Sequence, residues 1–165
     1  MNDTYLALDL GAAKLLIGEV NSKGKILNSK RYETGYIDQI SAFSIIKRSL
    51  EDYISTVGWY TETRPVCIGI GLMGCVDHEN GIWLQTHSKR THSIHLAEDI
   101  TKAFKIPCFI DNNVKSITRA IKKWKYGTCS NNFIYLNISS SITAGFVING
   151  QLIRGNQFDA GESSS

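Results

Sequence analysis

The stretch from Tyr5 to Leu27 restricts the fold more than any other part of the chain. Its sequence, YLALDLGAAKLLIGEVNSKGKIL, places short apolar runs on either side of two turns. Runs of this length that are rich in Leu, Ile and Val predict strands, not helices. We therefore expect three consecutive antiparallel strands. The first ends at Asp9, where a carboxylate before a small-residue turn can lie beside a phosphate or a metal. The simpler explanation is a hairpin turn in which Asp9 bonds its own backbone.

The remaining sequence alternates helical and strand-like patterns. Helices are predicted over 38–57, 96–104 and 114–126, strands over 64–72, 82–84, 106–110, 133–137, 142–148 and 151–154, and a loop over 73–81. The helix over 38–57 carries the apolar stripe Ile40, Phe43, Ile46, Leu50 and Tyr53. Antiparallel strands that lead into strand–helix–strand units predict an α/β domain, a mixed sheet with helices packed on it. No internal sequence repeat is apparent.

Composition excludes several classes of protein. The chain has 165 residues, 42% of them hydrophobic, and a net charge of +3. That charge is too small to indicate a nucleic-acid or membrane surface, and no apolar run has the length of a membrane span. No signal peptide is visible at the start. The four cysteines form no CxxC pair, so we expect reduced thiols and a cytoplasmic location.

Two clusters of polar residues suggest sites but do not require them. His87, His92 and His95 lie close together, yet no carboxylate or thiolate completes a metal-binding spacing. We predict a solvated loop and no metal site. The basic residues between Arg119 and Lys125 are most simply the solvent face of a helix. The flanking sequence does not complete a helix-turn-helix.

Five segments, in order, resemble the motifs of one protein family. They are LDLGAAK at 8–14, IGIGLMGCVD at 68–77, PCFIDNN at 107–113, the stretch 139–150, and AGE at 160–162. The combination resembles the ROK family of repressors and sugar kinases, within the actin-like ATPase superfamily, and is closest to the family's transcriptional regulators. The resemblance implies a ribonuclease H-like lobe. It also implies that residues 1–165 form a single N-terminal lobe, a fragment of a longer protein.

The departures from the family pattern concern phosphate transfer. Asn113 stands where the family's kinases carry their catalytic Asp, and a carboxamide cannot accept the proton of a sugar hydroxyl. Ala12 and Ala13 replace a Gly and a Thr of the first phosphate turn. Other replacements are Ser139, Ser141 and Thr143 for three glycines of the second phosphate loop, and Ser165 for a sugar-contacting His. Together these changes argue against a kinase, so no catalytic residue is assigned.

The resemblance also assigns candidate binding residues. The expected sugar-binding residues are Gly74, Asn112, Asn113 and Glu162. The remnants of the phosphate loops are Asp9, Gly11, Lys14 and Gly145. The simpler alternative is that Asn112 and Asn113 only cap the helix that begins near Val114.

Three functional hypotheses remain open. The first is a non-catalytic sugar-sensing lobe of a ROK-type transcriptional regulator. It binds a monosaccharide or its phosphate, needs no cofactor, forms a possible homodimer, and reaches DNA only through a helix-turn-helix that this chain does not contain. The second is a divergent sugar kinase that phosphorylates a hexose with ATP and Mg²⁺, with Asp9 or Asp111 in place of the lost acid. The third is a structural domain that binds neither sugar nor nucleotide.

Overall fold

The computed structural model describes residues 3–62, 64–85, 93–126, 129–138 and 142–162. The helices are α1 (Gln39–Thr56), α2 (Leu96–Phe104) and α3 (Asn113–Ile121), and a π-helical segment (Lys122–Tyr126) directly follows α3. The strands are β1 (Thr4–Leu10), β2 (Lys14–Asn21), β3 (Ile26–Glu33), β4 (Ile68–Leu72), β5 (Cys75–Asp77), β6 (Ile82–Gln85), β7 (Cys108–Asn112), β8 (Phe133–Ile138), β9 (Ile142–Ile148) and β10 (Gln151–Ile153).

A five-stranded mixed sheet forms the centre of the domain. Its strand order is β3-β2-β1-β4-β7. The first three strands are antiparallel, and β4 and β7 add to β1 in parallel. This confirms the predicted α/β fold with a mixed sheet. Strands β8, β9 and β10 form a second, antiparallel sheet that the sequence did not distinguish from the first.

One face of the five-stranded sheet is buried under α1 and α2. Leu6, Leu8 and Leu10 of β1 share one apolar core with Leu50 and Tyr53 of α1, and all are at most 4% exposed. Burying a Leu or Ile side chain fully contributes about 1.5–3 kcal/mol, so this face accounts for much of the stability. The alternating burial of β1, with every second residue inside, follows from the two-residue repeat of a strand.

Helix α1 begins one residue later than predicted, after Asp38. The carboxylate of Asp38 accepts a hydrogen bond from the backbone N–H of Ser41 at 2.7 Å, which satisfies a free donor of the first turn. The predicted apolar stripe is wrong at Ile40, which is 87% exposed, whereas Ile45 lies in the core. Ile40 lies on the solvent side of α1, out of phase with the buried positions Ala42, Ile46 and Leu50.

The predicted helix over 114–126 matches the helical range of the structure, but its second part is not regular α-helix. Regular α-helix ends at Ile121, and the π-helical segment continues to Tyr126. The wider turn accompanies two tertiary contacts: the ammonium of Lys122 donates to the carbonyl of Gly150, and the indole of Trp124 lies against Gly24 in the β2–β3 turn. Neither contact can be read from local helical periodicity.

Some strand boundaries also differ from the prediction. Strand β4 begins at Ile68, not at residue 64, and β7 covers Cys108–Asn112, not 106–110. The predicted loop 73–81 contains β5, which pairs with β6 across an irregular register. The β9–β10 turn is as predicted: Asn149 and Gly150 have φ of +50° and +76°, the left-handed pair that a two-residue hairpin needs.

Helix α3 connects the two sheets. It contacts β4 and β7 of the five-stranded sheet and β8, β9 and β10 of the second sheet. Within the described residues, no helix is both long enough and apolar enough to cross a membrane.

Candidate functional site

A cavity of about 680 Å³ lies between α3 and the face of the central sheet opposite α1. Its floor is lined by the small residues Ala7, Gly69 and Gly71, which keep the space open. Its apolar walls come from Phe109, Ile117 and Trp124, and its polar groups from Asp9, His78, Asp111, Asn113, Ser116, Arg119 and Lys123. Asp9 and Asp111 line the same cavity, so these two strand ends face one cleft.

Asp9 is the last polar residue of β1 before the first turn. Burial raises the pKa of the Asp9 carboxyl above its usual value, and the positive charge of Lys14 opposes this effect. The turn itself is closed by the N–H of Gly11, which donates to the carbonyl of Lys14 at 2.9 Å. The carbonyls of Ala12 and Ala13 accept from Ile37 and Thr34.

Asp111 is held by an arginine that sequence reasoning missed. The two terminal guanidinium nitrogens of Arg154 donate to the two carboxylate oxygens of Asp111, each at 2.7 Å. The backbone N–H of Asn112 adds a further bond to one of these oxygens at 2.8 Å. Both side chains are largely buried, at 14% and 15% exposure. Asp111 is therefore committed to a structural ion pair.

Asn112 links three segments that are far apart in the sequence. Its side-chain oxygen accepts from the backbone N–H of Lys115 at 3.0 Å, so it is the N-cap of α3. Its side-chain N–H groups donate to the carbonyl of Gly74 and to the carboxylate of Glu162, both at 2.8 Å. The residue is 1% exposed. Three of the four predicted sugar residues are thus joined by hydrogen bonds through one amide.

Asn113, the fourth predicted sugar residue, occupies the first turn of α3 and lines the cavity. Its side-chain oxygen accepts from the backbone N–H of Val114 at 2.8 Å. Its amide nitrogen carries two N–H groups that can donate to a ligand in the cavity. Both asparagines thus bond the start of α3, as the capping alternative predicts, and this role does not exclude ligand binding.

Gly145, predicted as part of a phosphate loop, packs against α3. A methyl group at this position would overlap the hydroxyl of Thr118. That hydroxyl donates to the carbonyl of Val114 at 2.7 Å and is buried. The absence of a side chain at Gly145 is therefore required for contact between β9 and α3.

Sequence reasoning also missed two groups beside the site. Lys115 is 1% exposed, its ammonium donates to the carbonyl of Phe158 at 2.7 Å, and burial lowers its pKa. His78 lies edge-on to the ring of Phe158, and burial, followed by the charge of Arg154, lowers its pKa. A buried Lys and a His outside the predicted histidine cluster give no local sequence signal.

Several predicted residues lie outside the described part of the chain. These are His87, His92, Ser139, Ser141 and Ser165. Thr143 is described and buried, and its hydroxyl accepts from the amide of Asn137 at 3.3 Å. Among the described residues, no group of three His, Cys, Asp or Glu side chains is placed to bind a metal.

Comparison with known proteins decides the family. The model of the ROK family matches residues 5–163. The chain belongs to the ROK family. Solved structures agree: a ROK family transcriptional regulator, a homologue of the E. coli MLC protein, superposes with a TM-score of 0.84 at 25% identity, over 95% of this chain and 39% of the regulator. The actin-like ATPase fold follows from this membership.

Relatives within the ROK family are both kinases and repressors. The glucokinase of Thermotoga maritima is 25% identical over 151 residues, 91% of this chain and 46% of the glucokinase. The xylose repressor of Caldicellulosiruptor bescii is 31% identical over 97 residues, 58% of this chain and 24% of the repressor. The chain thus spans about half the length, or less, of the curated relatives it matches. These ROK relatives do not by themselves separate a regulator from a kinase.

Proposed function

We propose that this chain is the sugar-binding lobe of a ROK-type transcriptional regulator and does not transfer phosphate. One observation carries the proposal: the cavity offers no free carboxylate at the position of the family's catalytic acid. Asn113 supplies an amide there, and both oxygens of the neighbouring Asp111 are held by Arg154. An amide cannot remove the proton of an attacking hydroxyl.

The sugar ligands in this proposal are Asn113, which lines the cavity, and Glu162 and Gly74, which lie outside its lining and are joined to each other by the side chain of Asn112. Hydroxyl groups are recognised by a few well-placed polar side chains in a concave site. Asn112 is a positioning residue, because both of its N–H groups are used by Gly74 and Glu162. A monosaccharide fits this chemistry, and a sugar phosphate would in addition be attracted by the charge of Arg119 or Lys123 at the cavity wall.

Weak nucleotide binding is part of the same proposal. A phosphate at the first turn would need bare backbone N–H groups and a hydroxyl, whereas the turn carries the methyl groups of Ala12 and Ala13. We expect ATP with Mg²⁺ to bind weakly or not at all. A dissociation constant in the micromolar range, measured by calorimetry, would contradict this.

The second candidate function is a divergent sugar kinase, and Asp9 is the observation that favours it. Its carboxyl lines the cavity together with Asn113, and burial raises its pKa toward the range in which carboxylates act as general bases. The relatives of this chain include kinases, such as the Thermotoga maritima glucokinase, and this similarity supports the second candidate.

Sugar binding is tested by calorimetry on the polypeptide as it is naturally expressed. The ligands are xylose, glucose and a β-glucoside, the sugars that the names of its relatives suggest. Loss of one buried hydrogen-bond partner costs about 1–3 kcal/mol, so Glu162→Ala or Asn113→Ala should weaken the bound sugar about ten- to a hundredfold. The control is Asn156→Ala, since Asn156 is exposed and does not line the cavity. Equal affinities for all variants would refute the sugar site.

Catalysis is tested separately, by sugar-dependent release of ADP from ATP. We expect no activity in the natural protein and none in Asn113→Asp, because the first phosphate turn stays altered. Activity that disappears in Asp9→Asn would establish the kinase instead.

DNA binding through a further domain, a homodimer and a cytoplasmic location complete the regulator proposal. The regulator proposal would be supported if the protein bound a specific operator DNA and released that DNA when the sugar was added.

A further inference from the structure

Three buried oxygen atoms at one end of the central sheet have no hydrogen-bond partner within the described residues. They are the hydroxyl of Thr4, one carboxylate oxygen of Glu19 and the hydroxyl of Tyr53. The three residues are 2%, 0% and 0% exposed, respectively, so surface water does not reach these atoms. Leaving one buried polar group without a partner costs about 1–3 kcal/mol, and three in one place point to a ligand that satisfies all of them.

The register of the sheet brings the three side chains together. Leu6 of β1 pairs with Glu19 of β2, and Thr4 pairs with Asn21, so Thr4 and Glu19 are diagonal neighbours on the same face of two adjacent strands. Tyr53 of α1 packs in the core that covers this face and includes Leu6. Burial, followed by the charge of Glu19, raises the pKa of the Tyr53 hydroxyl, as expected for neighbouring side chains.

The carboxylate of Glu19 is a buried charge without a counter-charge in the described part of the chain. One of its oxygens accepts from the backbone N–H of Tyr60 at 2.8 Å, and the ion pairs formed between described residues do not include Glu19. Burying an uncompensated carboxylate costs far more than burying a neutral polar group. The pairing of β2 with β3 also shifts between Glu19 and Val20, an irregularity of the kind that re-aims side chains beside functional sites.

We propose that Glu19, Tyr53 and Thr4 together bind a monovalent metal cation, K⁺ or Na⁺. Carboxylate and hydroxyl oxygens are the ligands that hard cations prefer, and a single positive charge neutralises the one carboxylate. A divalent ion would leave excess positive charge in an apolar core, whereas a water molecule would satisfy the hydroxyls and leave the carboxylate uncompensated. The site lies on the face of the sheet under α1, opposite the cavity, so it is independent of the proposed sugar site.

Thermal unfolding of the naturally expressed polypeptide in different salts tests this proposal. KCl, NaCl and choline chloride are compared at equal ionic strength, since choline is too large to enter a buried site. A cation that binds only the folded state raises the unfolding midpoint once its concentration exceeds the dissociation constant. We therefore expect a midpoint several degrees higher in KCl or NaCl than in choline chloride. Equal midpoints in the three salts, the result for a carboxyl group neutralised by a proton or held by water, would overturn the proposal.

Glu19→Gln and Glu33→Gln form a matched pair of variants for the same measurement. Both remove one carboxylate and keep the side-chain size, but Glu33 is exposed and paired with Arg31 on β3. Glu19→Gln should lose the difference between the metal salts and choline chloride, and Glu33→Gln should retain it. Tyr53→Phe removes a single hydroxyl from the site and should reduce the difference, so the test does not depend on whether Glu19→Gln folds. A difference that persists in full in Glu19→Gln or Tyr53→Phe would refute the assigned ligands.

Discussion

Arg154 and Asp111 form a largely buried ion pair, in which each charge is compensated by the other. Each is about one-seventh exposed, and the two hydrogen bonds are parallel, the geometry in which Arg binds carboxylate most strongly. The pair fastens the end of β10 to the end of β7. It also withdraws Asp111 from any chemistry in the cavity.

Removal of one member should therefore destabilise the protein strongly. Asp111→Asn leaves a guanidinium without its counter-charge in a mostly buried position, and we expect a loss of about 3 kcal/mol of unfolding free energy. Urea denaturation measures it. The control is Glu33→Gln, which breaks the exposed Arg31–Glu33 pair and should cost less than about 1 kcal/mol. A similar small loss for both would contradict the structural role.

The carboxylate of Asp9 destabilises the folded protein at neutral pH, whereas the Asp111–Arg154 pair stabilises it. Its folded pKa is raised above the usual 3.8 by burial, so between these two values the folded state binds more protons than the unfolded state. Stability then falls as the pH rises through this window, and the charged carboxylate is a net cost at neutral pH. Such a cost is common where residues are kept for function.

Asp9→Asn should accordingly raise the melting temperature at pH 7, with a gain that shrinks as the pH is lowered toward 4. Asp52→Asn is the matched control with the opposite sign. Hydrogen bonds from Lys30 and Tyr32 lower the pKa of Asp52, so its loss should lower the melting temperature at pH 7. Thermal scans between pH 4 and 7 measure both. A lower melting temperature for Asp9→Asn at pH 7 would contradict the prediction.

Individual residues were predictable only where the family motif or the local chain identifies them. Asn112 as a cap follows from its position before an apolar helical pattern. Its bond to Glu162 joins residues separated by 50 positions. Both residues were named from the family motif, because local sequence patterns do not indicate a partner at that separation. Arg154 and Lys115 were missed because their partners lie on other elements, and no periodicity indicates a distant partner.

Secondary structure elements were predictable in proportion to the strength of their own pattern. Helix α2 matches its predicted range of 96–104, and β9 its range of 142–148. The π-helical form of residues 122–126 and strand β5 were not predicted. The first accompanies the Lys122–Gly150 bond and the second pairs with β6, and local sequence patterns show neither contact.

The contact between β9 and α3 gives a prediction at this scale. Gly145→Ala inserts a methyl group into space occupied by Thr118, and such overpacking costs about 1–3 kcal/mol. The control is Gly69→Ala on β4, where the nearest atom to the added carbon is the carbonyl oxygen of Leu6 at 3.9 Å, an ordinary contact. Chemical denaturation should show a clear loss for the first variant and almost none for the second. Two equal losses would refute the packing argument.

In the described part of the chain, the five-stranded sheet and the β8–β10 sheet both pack on α3, and α1, α2 and the β5–β6 pair complete the domain. The order of strands and helices predicted the α/β class correctly, because three antiparallel strands followed by helix crossovers admit few other topologies. The separation into two sheets was not predicted. Strand patterns carry no information on whether β8 continues the first sheet or begins another.

This arrangement predicts an uneven distribution of stability in the 165-residue chain. Strands β1, β2 and β4 are central and covered on their apolar face, whereas β8, β9 and β10 pack on α3 with their outer face open. Hydrogen–deuterium exchange should therefore be slowest in β1, β2 and β4. Amides of β8, β9 and β10 should exchange much faster through local opening. Equal protection of the two sheets would contradict this division.

The shared bonds of Asn112 have an evolutionary consequence. Gly74, Glu162 and the first turn of α3 all bond to one side chain, so a lineage that replaced Asn112 would remove a hydrogen bond from three separate segments at once. Mutations here cannot accumulate one by one without a loss of fitness in between. We expect descendants of this gene to retain Asn112 and Glu162 together or to lose them together, a covariation that survives even where the bound sugar changes.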